Sequence, residues 1–332
     1  MKLFDKIYGQ INIDSPVILD LINAPTIQRL KKIHQYGIYY LFYPTAATDR
    51  FEHSIGVYWI LKKFGASTEE QVAGLLHDIS HGVFSHVLDH LHGTTTNEEY
   101  QETIHERFFK DNDIAAVLKN YNLPVEKISK PQNYPLLEAP LPDICADRLQ
   151  YTLADAVTIG RISSDQAFNM IGDIKVKNNQ FIFNSLNKAK EFAELSLWMC
   201  QNFWHASWGA YSFSLMSEIL KKALAADILA ENDLFLDDET VYERLAKCQN
   251  MEIVSLLNKL LNFKIDRISE DRNDFEFIKK TSKFRTVDPL VETEKQIKRV
   301  TEVFPDFKEK FETEKKRVSR PRYLKYSEDR NH

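Results

Sequence analysis

The stretch TEEQVAGLLHDISHGVFSHVLDHLH, residues 68–92, determines most of the fold that this sequence predicts. Ser67 precedes it and stands three residues before Glu70, which is the spacing of a capping box and predicts the start of a helix. The apolar run VAGLL carries that helix to His77 and Asp78, so two polar side chains leave a surface that is expected to be buried. FSHVLDHLH, at the end of the stretch, predicts a second and shorter helix.

Helical patterns continue on both sides of this stretch. PTIQRLKKIHQ predicts a helix that begins at Pro25 and stops before Gly37, and HSIGVYWILKKFG predicts one that ends at Gly65. Further helices are predicted from NEEYQETIHERFF, ADRLQYTLADAVTIG, MEIVSLLNKLL and a long amphipathic stretch at 186–230. Residues 111–142 carry a weak signal and include the proline-rich PQNYPLLEAPLP, which predicts a loop.

The last part of the chain predicts a mixture of structures. KVKNNQFIF alternates around two asparagines and predicts a hairpin, while FKIDRI and KFRTVDPLV look like strands. The tail at 315–330 is basic and poorly periodic, which predicts a solvated segment. The fold class is therefore predicted as mainly α, with a helical core at 1–190. Residues 191–332 are expected to continue that core with a small mixed α+β lobe and the basic tail.

The composition excludes several classes of protein. Of 332 residues, 43% are hydrophobic and 27% charged, which is typical of a globular chain and not of collagen-like or wholly disordered ones. A net charge of −5 argues against a protein that mainly coats nucleic acid. No apolar run approaches the roughly 18 residues that span a bilayer, and three scattered cysteines predict a reducing, cytoplasmic setting.

Histidine is concentrated in one part of the chain. Seven of the ten histidines lie between residues 53 and 105. Because histidine is the commonest metal ligand and titrates near neutral pH, this crowding predicts a site. His77 and His81 are four residues apart, and His86 and Asp89 are three apart, close enough for a carboxylate to orient the imidazole. Imidazole and carboxylate ligands together suit a divalent transition metal ion.

These residues also form the motif of a known family. The pattern H…HD…D, carried by RFEHSIG, LLHDISHGVFSH and ADRLQY, resembles the HD-domain phosphohydrolases and, among them, the deoxynucleoside triphosphate triphosphohydrolases. The resemblance implies an HD-domain helical bundle and metal-assisted attack on the α-phosphorus, which releases a deoxynucleoside and intact triphosphate. It implies that a divalent ion (Mg, Mn, Fe, Ni, Co or Zn) is bound by His53, His77, Asp78 and Asp147.

The resemblance implies roles for residues around the metal as well. The positions that match the catalytic set are His81, His86, Asp89 and His105, of which His86 would act on the departing ester oxygen or on the attacking group. The positions expected to contact the substrate are Gln35, Arg50, Arg148, Tyr151 and Asp155. Arg148 and Tyr151 match positions that hold triphosphate and sugar, and Asp155 matches one that holds the sugar 3′-hydroxyl. The implied partners are a nucleotide substrate, an activating nucleotide and further copies of the chain in a dimer or tetramer, with neither a membrane nor nucleic acid as the main partner.

Several positions depart from the family pattern, and they leave two alternatives open. The departures are Tyr36, Ser80 (where the family usually has a glycine), Val83, Cys145, Gln150 and Ala154. The last three replace two acids and an arginine near Asp147, which predicts a thinner shell of ion pairs around the metal. The first alternative is a phosphohydrolase or phosphodiesterase that acts on another nucleotide. The second is a nucleotide-sensing regulator with little turnover.

Overall fold

The structure is a computed structural model that describes residues 1–94, 100–110, 112–279, 283–294 and 296–327. Helices make up most of the described chain, and none of these helices is long and apolar enough to cross a membrane. The α-helices are α1 (Pro16–Asn23), α2 (Pro25–Arg29), α3 (Arg50–Lys63), α4 (Thr68–Leu76), α5 (Val87–His92), α6 (Tyr100–Ile104), α7 (Asp113–Asn120), α8 (Val125–Ile128), α9 (Ala146–Thr158), α10 (Ser164–Gly172), α11 (Leu186–Met199), α12 (Ser207–Ala225), α13 (Asp238–Lys247), α14 (Met251–Leu261), α15 (Val300–Val303) and α16 (Pro305–Val318).

Short strands form three small sheets in the described chain. The strands are β1 (Lys2–Asp5), β2 (Gly9–Asn12), β3 (Ile174–Lys177), β4 (Gln180–Phe183), β5 (Ile268–Glu270), β6 (Phe277–Lys279), β7 (Leu290–Glu292), β8 (Ile297–Arg299) and β9 (Arg322–Tyr326). β1 and β2 form a hairpin, the second sheet has the order β3-β4-β7-β8 with β4 and β7 parallel, and the third has the order β5-β9-β6. The prediction of a mainly helical protein with a small mixed C-terminal lobe is confirmed.

Short sequence signals correctly predicted where one hairpin turns and where one helix begins. Asn178 and Asn179, at φ 53° and 58°, turn the β3–β4 hairpin, because two left-handed residues suit the twist of a two-residue turn. The side chain of Ser67 accepts a hydrogen bond from the Glu70 backbone and caps α4. The capping box is nevertheless only half formed. The Glu70 carboxylate instead accepts from the backbone N–H groups of Leu136 and Leu137 and ties α4 to the loop before α9.

Two helix predictions were wrong in extent. The helix predicted to run from Pro25 to Gly37 ends at Arg29 and continues only as a 3₁₀ turn, because His34 pairs with Asp49 in an isolated β-bridge that keeps the chain extended. The predicted loop at 111–142 contains α7 and α8, whose shortness weakened the periodic signal. The helix predicted from NEEYQETIHERFF is α6 followed by a 3₁₀ turn, and its first residues lie outside the described part of the chain.

The C-terminal segment departs most from its predicted structure. Residues 283–289 form no regular element and only Leu290–Glu292 is a strand, while FKIDRI begins with a 3₁₀ turn before β5. The tail is not a solvated segment over its described length, since α16 runs to Val318 and β9 lies between β5 and β6. In β9, Arg322 and Leu324 are 5% and 0% exposed, so this strand is partly buried although the composition of the tail is polar.

One hydrophobic core runs through both halves of the described chain. It extends from Ile7 in the N-terminal hairpin region to Leu324 in β9. The proposed boundary after residue 190 falls inside α11, where no break in the chain marks it. The division into residues 1–190 and 191–332 therefore stays a prediction.

Candidate metal centre and active site

Three packed helices bring together the residues that the sequence predicts as metal ligands. α3 packs against both α4 and α9. His53 lies in the first turn of α3, where the side chain of Asp49 caps the helix, and Asp147 lies in the first turn of α9. His77 is the C-terminal cap residue of α4, with Asp78 directly after it. The helix ends therefore place four ligand-type side chains at one point, although Asp147 is about 70 residues distant in sequence.

The distances within this group suit a single metal ion. His53 Nε2 lies 3.0 Å from Asp147 Oδ1 and 3.1 Å from His77 Nε2, and the His77–Asp147 distance is 3.5 Å. The Asp78 carboxylate lies 3.6 Å from His53 Nε2 and 3.5 Å from His77 Nε2. Ligand atoms about 2.0–2.2 Å from one tetrahedral ion lie roughly 3.3–3.6 Å from one another. His53, His77 and Asp147 thus fit a common cation with small adjustments, and Asp78 lies close enough to both imidazoles to be a fourth ligand candidate.

Hydrogen bonds at Nδ1 of His53 and His77 leave Nε2 of each ring available for a metal ion. His53 Nδ1 donates to Gln150 Oε1, and His77 Nδ1 donates to the Gly74 carbonyl over 2.7 Å. When Nδ1 carries the proton, the Nε2 lone pair points toward the other ligands, which is the arrangement that metal-binding histidines require. Gln150, which the sequence marked as a loss of charge, therefore keeps the hydrogen-bond acceptor that orients His53.

A second group of ligand-type atoms involves Glu138, Cys145 and Asp147, all within 4.8 Å of one another. Its chemistry fits a metal less well. Burial raises the pKa of the Cys145 thiol to about 12, whereas the thiolate is the form that binds metals. Arg148 forms an ion pair with Glu138 and already neutralises it. The imidazole-containing group is therefore the stronger candidate.

The electrostatics of the first group favour a cation. Burial alone would lower the pKa of His77, but the carboxylates of Asp78 and Asp147 raise it to about 9. Burial alone would raise the pKa of Asp147, but hydrogen bonds from His53 and His77 lower it well below its usual value. Each carboxylate therefore stays ionised at neutral pH, and their shared negative field stabilises positive charge at the point where the imidazoles meet them.

Arg50 is a fixed part of this centre. It is 3% exposed, its Nη1 donates to Asp78 Oδ2 over 2.6 Å, and its Nε donates to Ser85 Oγ over 2.9 Å. Burial alone would raise the pKa of Asp78, but Arg50 and the nearby histidines hold it well below the usual range. Arg50 thus orients Asp78 while it also lines the cavity where a substrate contact was predicted.

The remaining histidines of the predicted set surround the same centre. His81 Nε2 lies 3.4 Å from Asp78 Oδ1, and burial followed by the charge of Arg50 lowers the pKa of His81 to about 3. His86 Nδ1 donates to Asp89 Oδ2 over 2.9 Å. Burial lowers the pKa of His86, and Asp89 partly opposes this. A bound phosphate would raise the pKa of these imidazoles, because an anion stabilises their charged form.

A cavity of about 400 Å³ connects these groups. This volume lies within the roughly 300–1,000 Å³ typical of small-molecule sites. The sequence-predicted residues that line it are Gln35, Arg50, His53, His77, Asp78, His81, His86, His105, Asp147, Arg148 and Tyr151. Asp89 lies behind His86 and supports it without lining the cavity. The structure thus collects nearly all of the predicted site in one place.

Two predicted substrate contacts have protein partners. Arg148 lines the cavity, but its guanidinium donates to the carbonyls of Ala139 and Asp143 and pairs with Glu138. Asp155 is 1% exposed and does not line the cavity. Its Oδ2 accepts hydrogen bonds from the hydroxyl of Tyr36 and the indole of Trp204. In this conformation, protein groups fill the place where a sugar hydroxyl was expected at Asp155.

The cavity also has basic and acidic residues that sequence reasoning missed. Lys283 and Arg285 line it from the irregular segment before β7. Lys283 lies 3.6 Å from Glu102, and Lys130 lies 3.8 Å from Glu106, so the rim carries ion pairs. Glu138 lines the cavity as well, and burial raises its pKa. In the sequence, KFRTVDPLV was interpreted only as a strand, and this gave Arg285 no functional role.

Comparisons with known proteins agree with this geometry. Residues 50–155 match the HD domain family. The chain is 34% identical over 292 residues to the uncharacterized protein YdhJ of Bacillus subtilis, which covers 88% of each chain. The chain belongs to the HD-domain phosphohydrolase family. It is an HD-domain metal-dependent phosphohydrolase, and its cofactor is a divalent metal ion.

Two further relatives of this HD-domain phosphohydrolase match only in part. The metal-dependent phosphohydrolase cns2 of Cordyceps militaris is 34% identical over 171 residues, or 52% of this chain and 49% of cns2. The human deoxynucleoside triphosphate triphosphohydrolase SAMHD1 is 33% identical over 164 residues, or 42% of this chain and 26% of SAMHD1. These partial matches leave the substrate open.

Proposed function

We propose that this protein hydrolyses deoxynucleoside triphosphates to deoxynucleosides and triphosphate. The observation that carries the proposal is that one cavity is lined by the ligand group, by His86 with Asp89 behind it, and by the cations Lys283 and Arg285. Positive charge around a metal site suits a polyanionic substrate, because phosphoryl transfer is catalysed mainly by positioning and charge neutralisation. The partial likeness to SAMHD1 supports the triphosphate as the substrate class.

In this proposal the metal ligands are His53, His77, Asp78 and Asp147. A bound divalent ion would supply positive charge that polarises the phosphoryl group and favours ionisation of water. Gln150 and Gly74 orient the two imidazoles, and Arg50 orients the Asp78 carboxylate. These hydrogen bonds hold the proposed metal-binding atoms in place before the substrate binds.

His86 is the proposed proton donor or acceptor of the reaction. Water adds to the α-phosphorus, the bond from phosphorus to the 5′ oxygen breaks, and the departing alkoxide takes up a proton. The His86–Asp89 hydrogen bond, 2.9 Å long, supports a positive charge on the imidazole during this transfer. Burial alone would raise the pKa of Asp89, but the hydrogen bond and charge of His86 and a hydrogen bond from the Tyr100 backbone lower it to about 2, so its carboxylate is charged near neutral pH.

The nucleoside end of the substrate is proposed to contact Gln35 and Tyr151. Both line the cavity and are at least nine-tenths buried, and Gln35 Oε1 has no hydrogen-bond partner among the described residues. An amide that lacks a partner favours a ligand that hydrogen-bonds to it. Asp155 enters this contact only if Tyr36 and Trp204 release it. Assembly into dimers or tetramers and activation by a nucleotide remain proposals that rest on the family resemblance.

A second candidate function is hydrolysis of another nucleotide. It is favoured by Glu138, whose carboxylate lies in the cavity and holds the arginine that was expected to bind triphosphate. While Arg148 is paired with Glu138, its charge is not available to neutralise the extra negative charge of a polyphosphate. A monophosphate or a cyclic nucleotide would therefore suit this part of the cavity better than a triphosphate.

A product analysis separates these functions. The purified protein is incubated with deoxynucleoside and ribonucleoside tri- and monophosphates and cyclic nucleotides, each with Mg²⁺, Mn²⁺, Co²⁺, Ni²⁺, Fe²⁺ or Zn²⁺, and the products are resolved by chromatography. Deoxynucleoside and intact triphosphate in equal amounts are expected. Release of orthophosphate or of a nucleoside monophosphate would contradict the main proposal and support the second candidate. Binding without turnover under every metal would indicate a regulator.

A further inference from the structure

His105 forms a hydrogen-bond chain that differs from that of His86. His105 is 4% exposed and lines the cavity, and its Nδ1 lies 2.9 Å from the hydroxyl oxygen of Ser80. The Ser80 hydroxyl donates to Gln101 Oε1 over 2.8 Å. Ser80 is fully buried at the turn that follows the ligand Asp78, and it stands where the family pattern usually has a glycine.

The donor and acceptor roles in these hydrogen bonds determine which ring nitrogen of His105 carries the proton. A serine hydroxyl has one hydrogen to donate, and Ser80 gives it to a carbonyl oxygen that can only accept. Ser80 must then accept at its own oxygen, so the His105 nitrogen facing it carries a proton. A neutral imidazole has one N–H, so Nε2 of His105 keeps its lone pair. That Nε2 is buried and has no hydrogen-bond partner among the described residues.

We propose that Ser80 and Gln101 are positioning residues that keep Nε2 of His105, a residue that lines the cavity, unprotonated and able to accept a hydrogen bond. The acceptor would receive a hydrogen bond from a water molecule or hydroxyl group bound beside the metal ligands. A glycine at position 80 has no hydroxyl and could not fix the proton in this way. The proposed control of the His105 tautomer therefore depends on the serine that this protein has at position 80.

The Nδ1 partners of His86 and His105 differ in charge, and this difference indicates a different role for each imidazole. Both imidazoles have a proton on Nδ1, but His86 gives it to a carboxylate and His105 gives it to a neutral hydroxyl. A carboxylate stabilises an imidazolium ion, whereas a hydroxyl adds no charge. His105 is therefore suited to accept a hydrogen bond while it stays neutral, and His86 is suited to carry a proton through the reaction.

The proposed role in the reaction rests on the proposed function, but the proton position does not. The full-length protein is labelled with ¹⁵N-histidine, and its ring nitrogens are observed by NMR near neutral pH, metal-free and with Mg²⁺, without substrate. His105 is assigned from the signals that disappear in His105→Gln. The expected result is a protonated Nδ1 and an unprotonated Nε2. A protonated Nε2 in the wild type overturns the inference, whatever the activity.

Substitutions of Ser80 and Gln101 test whether these residues determine the tautomer of His105. Ser80→Ala removes the acceptor, and the proton is expected to redistribute to Nε2. Gln101→Leu leaves the Ser80 hydroxyl free to donate to Nδ1, and a shift toward the Nε2–H form is expected here too. Gln101 is half-buried, so this variant keeps the test usable if Ser80→Ala folds poorly. An unchanged His105 tautomer in a folded variant of either kind would refute the proposed control.

Kinetics then connect the tautomer to the reaction. Partners that orient site histidines are typically worth roughly 10–100-fold, so Ser80→Ala is expected to lower kcat by about 10-fold with KM unchanged. Ser212→Ala is the matched control, because Ser212 is also fully buried and its hydroxyl donates to a backbone carbonyl within α12. A tautomer change without a fall in kcat would refute the role of His105 in the reaction. If the wild type has no nucleotidase activity, the NMR result still stands, and the proposed function fails separately.

Discussion

The two segments that form the cavity differ in how their residues reach it. In the HD segment, residues 50–155, helix ends bring His53, His77 and Asp147 to one point, and each imidazole is held by a hydrogen bond from behind. In the C-terminal segment, Lys283 and Arg285 reach the cavity from a stretch without regular structure. The difference indicates that the candidate metal ligands are presented by the ends of helices that pack together, whereas the positive charge proposed for the substrate comes from an irregular segment.

The largest effect is expected at Asp147, a proposed metal ligand of the HD segment. Asp147→Asn keeps the shape of the side chain but removes the charge that pairs with both imidazoles. We expect loss of bound metal and a fall in kcat/KM of more than roughly 100-fold, because a bound metal contributes several kcal/mol to transition-state stabilisation. Metal content is measured by mass spectrometry beside the kinetics. Asp165→Asn, in the first turn of α10, is the control. Full metal content in Asp147→Asn would show that the ligand assignment is wrong.

The second-largest effect is expected at Gln150, whose side chain accepts a hydrogen bond from His53. Gln150→Leu removes the acceptor of the His53 Nδ1–H, and partners of this kind are typically worth roughly 10–100-fold in metal affinity. Gln150→Glu keeps an acceptor and adds a negative charge, so metal affinity should be retained or rise. Titration of the metal-free protein measures both constants. Equal weakening in the two variants would show that Gln150 acts through packing.

Gly56 offers an independent route to the same contact. A Cβ on Gly56 would lie 2.5 Å from the Gln150 amide nitrogen, so Gly56→Ala must displace that side chain. Its effect on metal affinity should resemble that of Gln150→Leu. Gly172→Ala is the control, because a Cβ there meets nothing within 4 Å. Unchanged metal affinity in Gly56→Ala would show that the position of the Gln150 side chain does not matter.

A smaller effect is expected in the C-terminal segment. Hydrogen bonds to charged groups are worth about 1.5–3 kcal/mol, and Arg285→Ala is therefore expected to raise KM for a triphosphate substrate by about 10-fold or more with little change in metal content. Burial lowers the pKa of Arg285, but an arginine stays charged near neutral pH. Arg320→Ala, at an exposed position outside the cavity lining, is the control. If Arg285→Ala lost metal as well, the division between the two segments would fail.

Sequence reasoning succeeded where function and local structure coincide. Ser67 and the paired asparagines predicted ends of elements, because a cap or a two-residue turn is decided by a few neighbouring residues. His77 and Asp78 stood out because polar residues ended an apolar helix. Asp147 could be found only through the family resemblance, since α3 and α9 meet by tertiary packing that spacing along the chain does not encode.

The missed features depend on contacts between distant segments. Arg285 lies in a stretch without periodicity, and β9 gave no strand signal within the basic tail because one of its two buried side chains is that of Arg322. The partners of Arg148 and Asp155 also had no sequence signal. Glu138 pairs with Arg148, and Tyr36 and Trp204 donate to Oδ2 of Asp155; these residues lie on other elements or loops. The role of Ser80 required the position of Gln101, which a motif comparison does not contain.

The smallest effect tests whether the two halves of the chain fold as one unit. Ser67 caps α4 in the HD segment, and the side chain of Asn250 caps α14 in the C-terminal half. Removing a cap costs about 1 kcal/mol of stability. If the core is cooperative, Ser67→Ala and Asn250→Ala should each shift one denaturant transition by that amount, followed by circular dichroism and tryptophan fluorescence.

One transition is the expected outcome because the hydrophobic core includes residues from both halves and α11 crosses residue 190. Two transitions, each moved by only one of the variants, would instead establish separate domains at 1–190 and 191–332. That result would also change the interpretation of Arg285. A residue on an independently folding part could leave the cavity without unfolding the metal centre, and its contribution to KM would then depend on how the two domains dock.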